Sequence, residues 1–168
     1  LSYSNGAFPT STTRDFTGSG NTPASITISD GATYDYGIVI SGGTADKTFT
    51  LTNGGGFTAG SMSGGALAAP FTFKGGSYPG TGGTCAITLA ASGTCTVVVT
   101  YSPTASGQST ATLSVGYYTG AASTNATRAI QGTAETKINS VAASGNATYN
   151  NTQSINFTVT FSGSVNVT

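Results

Sequence analysis

Along "KTFTLTN", Phe49 and Leu51 fall on one parity and Thr48, Thr50 and Thr52 on the other. The same two-residue period runs through "CTVVVTY", where Cys95, Val97, Val99 and Tyr101 share a side and only Val98 breaks the polar one. It returns in "ATLSVGY" (Ala111, Leu113, Val115, Tyr117) and in "INFTVTF" (Ile155, Phe157, Val159, Phe161). Successive side chains of a strand point to opposite faces, so each segment has one apolar and one hydroxyl-bearing face. No window carries an i, i+3, i+4, i+7 apolar stripe of useful length, and the pattern predicts an all-β protein. Strands are expected at 24–29, 34–40, 46–53, 57–62, 70–74, 84–89, 94–101, 109–118 and 126–132. Short strands separated by turn signals predict an antiparallel β-sandwich.

A second pattern lies on top of the first. At an offset of 114 residues, the distance from Arg14 to Arg128, residues 1–20 lie on 115–134 without a gap. Tyr3 meets Tyr117, Gly6 meets Gly120, Ala7 meets Ala121, Thr10 meets Thr124, Thr13 meets Thr127 and Gly18 meets Gly132. Leu1 over Val115 and Phe16 over Ile130 keep apolar residues in place. The chain is therefore expected to be a window on a tandem array. Residues 1–20 read as the C-terminal hairpin of a preceding module, 21–134 as one complete sandwich, and 135–168 as the first strands of a following, different module.

Composition narrows the function. Charged residues make up 6% of the chain, with 5 basic, 5 acidic and no histidine, and the net charge is zero. Arg14, Lys47, Lys74, Arg128 and Lys137 are spread along the whole length, which tells against nucleic acid and acidic membrane surfaces as partners. Apolar runs such as Val97–Val99 fall far short of the ~20 residues that cross a bilayer, so no membrane insertion is expected in this segment. Hydrophobic residues at 37%, with 8 Tyr and 8 Phe, tell against disorder. The chain starts at Leu1, without a basic and apolar leader, and reads as a piece of a longer precursor.

The run "YDYGIV…KTFTLTNGG…APFTFKGG…C…LAASGTCTVVVTYSPTASGQSTATLSV…AIQGTA" resembles the choice-of-anchor D family of bacterial surface and secreted proteins. That family is related to the immunoglobulin-like ASPM/SPD-2/Hydin domains. The most specific part is the series Cys85, Leu89, Gly93, Cys95, Pro103 and Gly107, followed by Gly132. The tail from Lys137, through Tyr149, Ile155, Phe157, Phe161 and Val165, resembles another bacterial Ig-like repeat of large adhesins. These resemblances imply immunoglobulin-like modules on a cell surface. The insertion "GGSYPGTGGT" before Cys85 departs from the family pattern.

Candidate chemistry is sparse. A hairpin centred near residue 90 places Cys85 opposite Cys95, which suits a cross-strand disulfide and an oxidising location; two buried free thiols are the alternative. Without histidine or paired carboxylates the usual general acids and bases are missing, and no enzyme and no cofactor are expected. Asp30, Asp35 and Asp46 are calcium candidates if one end of the sandwich gathers them, with turn formation as the competing reading. Tyr34, Tyr78, Tyr117 and Tyr118 could present aromatic faces to a sugar, or pack in the core. Lys47, Lys74 or Lys137 could form an isopeptide bond with a buried asparagine. Asn125, Asn146, Asn150, Asn156 and Asn166 sit in N-x-S/T patterns that composition alone explains.

The expected function is a structural stalk in an extracellular, adhesin-type protein, with neighbouring modules of the same chain as partners. The alternatives are a module that binds a host or surface glycan or protein, and a fibre subunit that donates the strand 155–161.

Overall fold

A computed structural model describes residues 20–143, together with 2–4, 6, 9–11, 13–18, 152, 154, 156–162 and 165. Leu1, Asn146, Tyr149, Asn150, Ile155 and Asn166 lie outside the described residues. Eight strands build the sandwich: β3 (Ile26–Ile28), β4 (Thr33–Ile40), β5 (Ala45–Asn53), β6 (Gly60–Gly64), β7 (Phe71–Phe73), β8 (Thr94–Tyr101), β9 (Gly107–Tyr118) and β10 (Ser123–Glu135). Two hairpins flank it in sequence, β1 (Ser2–Ser4) with β2 (Pro9–Ser11), and β11 (Ile138–Ala143) with β12 (Phe157–Phe161).

One sheet has the order β3-β5-β8-β7 and the other β4-β10-β9-β6. Lettered A to G along the chain, with β3 and β4 as two halves of a split first strand, these are the orders ABED and A′GFC of an immunoglobulin-like sandwich. The switch between sheets falls at residues 29–32, where Asp30 and Gly31 both take positive φ. Arg128 on β10 clamps this point by donating from its guanidinium to the Ile28 carbonyl.

Strand alternation becomes the core. The inward parity of β5 and β8 buries Phe49, Leu51, Val97, Val99 and Tyr101 completely, and the facing sheet contributes Leu113, Val115 and Ile130. The rings of Phe71 and Tyr101 stack with centroids 4.8 Å apart, and Tyr36 packs on both at 5.6 Å. Tyr36 also donates its hydroxyl proton to the Val99 carbonyl, at 3.0 Å. Gly132 lies against the Tyr101 ring so closely that an added Cβ would sit 2.6 Å from it.

The segment expected as a strand at 84–89 is different. It starts along β8, where the Thr84 and Cys85 amides donate to the Thr96 carbonyl, and then crosses to the other sheet. There Leu89 bridges Ala59, and the Met62 amide donates to the Ile87 carbonyl. The glycine-rich insertion runs along the edge of β8 beyond the end of β7: the Lys74 amide donates to the Val98 carbonyl and the Val98 amide to the Pro79 carbonyl. Only glycine fits this approach at position 80, where a Cβ would fall 2.2 Å from the Val98 oxygen. Val98, which breaks the alternation of β8, is itself buried.

Candidate functional site

The pairings give every strand a direction. β3 is antiparallel to β5, β5 to β8, and β8 to β7; β6 and β10 are both antiparallel to β9, and β4 is parallel to β10. With β3 and β4 as one traversal, the chain crosses the sandwich an odd number of times. It enters at an N-terminal pole, where the Ala24 amide donates to the Thr119 carbonyl. It leaves at the opposite C-terminal pole, where the Ser41 amide donates to the Glu135 carbonyl.

The N-terminal pole is built around Asn53. The parity of β5 turns this residue inward after Phe49 and Leu51, and it is completely buried. Its Oδ1 accepts from the amides of Ser25 (3.1 Å) and Gly55 (3.0 Å). Its Nδ2 donates to the carbonyls of Phe57 (2.8 Å), Leu89 (3.1 Å) and Ala90 (3.1 Å). One side chain thus ties the incoming segment, the loop after β5 and the crossing segment together. The Gly56 amide donates to both the carbonyl and the hydroxyl of Thr22, and the Gly54 amide donates to the Ser25 carbonyl. Residues 22–25 are therefore bonded to the pole and not a free tether. Half-exposed Phe57 and Tyr118 lie at the same pole, and Phe57 sits over Gly120 in the β9–β10 turn.

Cys85 and Cys95 form a disulfide with Cα atoms 4.8 Å apart, and both residues are buried. The bond joins the start of β8 to the segment that closes the side of the sandwich. The two-strand hairpin expected around it is replaced by the crossing just described, because Leu89 and Ile87 join β6 in the other sheet.

The three aspartates do not converge. Asp30 pairs with Lys47 (2.8 Å), Asp46 with Lys74 (2.7 Å) and the Thr100 hydroxyl (2.6 Å), and Asp35 accepts from Gln131 Nε2 and the Gly37 amide (both 2.8 Å). Among the described residues, no group of three or more His, Cys, Asp or Glu is placed to hold a metal ion. Their donors hold all three carboxyls below the usual carboxylate value: Lys47 then Ser29 for Asp30, Lys74 then Thr100 for Asp46, and Gln131 then the Gly37 amide for Asp35. Burial pushes the Tyr36 phenol upward, with Tyr34 and Asp46 adding to the shift.

Nor, among the described residues, do Lys47 and Lys74 meet the buried Asn53. The Asn53 amide is committed to the N-terminal pole, while Lys47 and Lys74 are committed to aspartates. The Lys47 ammonium also lies 4.4 Å from the centre of the Tyr34 ring. Tyr117 is buried and accepts from the Ile26 amide, and Tyr78 packs edge-on against Phe73. Asn125 and Asn156 are exposed. On β11–β12, Val141 faces Val159 and Ala143 faces Phe157, and Ile138, Val141, Phe157 and Val159 are exposed.

No family model and no curated protein matches the chain. Among solved structures it is similar to the VesB protease of Vibrio cholerae at 21% identity and a TM-score of 0.47, over 66% of this chain and 32% of that one. It is also similar to the ASH/PapD-like domain 7 of human CEP192 (16% identity, TM-score 0.48, covering 75% of this chain and 94% of that one). A Porphyromonas gingivalis protein of unknown function follows at 10% identity and a TM-score of 0.45, over 66% of this chain and 46% of that one. The chain spans about a third of the VesB chain it matches. The class of protein, an immunoglobulin-like β-sandwich, rests on the strand order of this chain itself.

Proposed function

We propose that residues 21–134 are a non-catalytic spacer module in a tandem array of an extracellular, adhesin-type bacterial surface protein, which holds a distal binding region away from the cell. The choice-of-anchor D resemblance supports this reading. So does the buried disulfide, which forms in oxidising compartments.

The observation that carries it is the path of the chain. Residues enter and leave at opposite poles, so copies join head to tail, each adding about 40 Å if β10 is extended at ~3.3 Å per residue. Tension along such an array pulls β4 against β10, which are parallel neighbours. Their ladder, from Thr33–Ala129 to Ile40–Glu135, then bears load in shear, with all its bonds strained together.

Force spectroscopy with handles at the two ends of the full chain tests this. The sandwich is expected to open in one event that lengthens the chain by about 340 Å at ~3.6 Å per residue, and by about 30 Å more once the disulfide is reduced. Gradual unzipping in small steps at low force would overturn the spacer reading.

A second reading, binding of an uncharged carbohydrate, is favoured by a shallow groove of about 380 Å³ whose lining includes Leu67, Thr72, Phe73, Ser77 and Tyr78 and no charged side chain. Saturable glycan-array binding by the full chain, lost in Tyr78→Ala, supports that reading; no binding to any glycan rejects it.

A further inference from the structure

The chain holds two hairpins with one register. In β1–β2, Ser2 lies opposite Ser11, Tyr3 opposite Thr10, and Ser4 opposite Pro9. Shifted by the repeat offset, these pairs become Gly116–Asn125, Tyr117–Thr124 and Tyr118–Ser123, and all three are pairs of the β9–β10 ladder. A slip of one residue would have exchanged the two faces of the hairpin, so the agreement is specific. Gly6, between β1 and β2, has φ 89°, and the matching Gly120 has φ 95°, a region that glycine enters without steric penalty.

The two hairpins differ in what covers them. On β10, Ile130 is 1% exposed, Gly132 lies on the Tyr101 ring, and Arg128 reaches the Ile28 carbonyl. The matching Phe16 is 90% exposed, a Cβ on Gly18 would meet nothing within 4 Å, and Arg14 is exposed. An apolar side chain in the place of a core residue, with no core around it, marks a docking face. The sandwich itself shows what such a face docks on.

We infer that residues 1–20 carry the closing hairpin of a second sandwich of the same design, and that Arg14, Phe16 and Gly18 dock on a body equivalent to residues 21–114, whose last residues, the counterparts of Ser109, Ala111 and Leu113, pair with them. That body is the preceding repeat of the array. Phe16 fills the slot that Ile130 fills here, Gly18 lies on an aromatic ring in the place of Tyr101, and Arg14 binds a carbonyl at the switch of a split first strand. The last strand of the first sandwich then runs through residues 22–25, already bonded to the N-terminal pole, into β3 of the next. The inference rests on the tandem reading and adds the surface through which neighbouring repeats share the chain.

The test is a graft within the full chain. Residues 115–134 are replaced by the sequence of residues 1–20, and in a control by that of residues 2–21, which is out of register by one. The in-register graft is expected to unfold cooperatively and to keep the NMR fingerprint of β3–β8, whereas the slipped graft loses both. A further Phe→Ser change at the grafted copy of Phe16 is expected to lower the midpoint by at least 10 °C on the scale of a lost core side chain, while Phe16→Ser in the unaltered chain leaves it in place. The inference is overturned if both grafts fail to fold or both fold alike, or if the grafted serine changes nothing. None of these outcomes bears on the force measurement, so the spacer reading stands or falls separately.

Discussion

Replacing Asn53 by alanine removes the hub of the N-terminal pole, and its cost can be worked out partner by partner. The carbonyls of Leu89 and Ala90 keep other donors, the amides of Ala59 and Gly93. The amides of Ser25 and Gly55 and the carbonyl of Phe57 lose the bond that the side chain supplied. A buried backbone group left unpaired costs ~1–3 kcal/mol, and partial access to water at a pole favours the lower end, so three such groups give about 4 kcal/mol. That is a large share of the ~5–15 kcal/mol that holds a domain folded. Urea unfolding followed by tyrosine fluorescence measures it, with Asn125→Ala on the exposed face of β10 as a control expected within about 0.5 kcal/mol of the parent. A loss below about 1 kcal/mol for Asn53→Ala would refute the reasoning, since a single ordinary hydrogen bond accounts for that much.

Gly132→Ala forces a Cβ into the Tyr101 ring and is expected to cost about 1–3 kcal/mol by overpacking, while Gly18→Ala is silent in the same thermal melt. Stability should be flat through neutral pH and fall at both extremes. The donors around Asp30, Asp35 and Asp46 hold these carboxyls below the ordinary aspartate value, so their contribution is present above about pH 4 and is lost as pH falls below it. Burial raises the pKa of the Tyr36 phenol, so stability is lost as pH rises above about 10, where the unfolded phenol ionises first. Urea midpoints between pH 2 and 12 check both limbs, and a maximum outside the neutral range would contradict the pairings.

The strands were legible because a two-residue period is written into each of them. The alternation of Phe49, Leu51, Val97 and Val99 with more polar positions predicts strands at 46–53 and 94–101, within a residue of β5 and β8. The segment 84–89 was not, because "CAITLA" alternates too, and nothing local says that it leaves one sheet for the other. The cysteine spacing gave the disulfide for an incomplete reason: the two residues face each other, but across a crossing segment and not a hairpin. Asn53 was missed although its signal was present, an amide on the buried parity of β5 just before three glycines. For the aspartates the sequence leaves two readings open, because turn residues and calcium ligands share one chemistry, and the fold shows that each has a partner of its own.

Everything proposed for the array depends on the chain entering one pole and leaving the other. Pulsed electron paramagnetic resonance between nitroxides at Asn21→Cys and Lys137→Cys in the oxidised protein measures this directly. A narrow distribution centred at about 45 Å, the length of an extended strand of β10's size plus its two short flanks at ~3.3 Å per residue, is expected. A distance under about 25 Å would place both ends at one pole, too short for a strand of that size to lie between the labels, and would contradict the account.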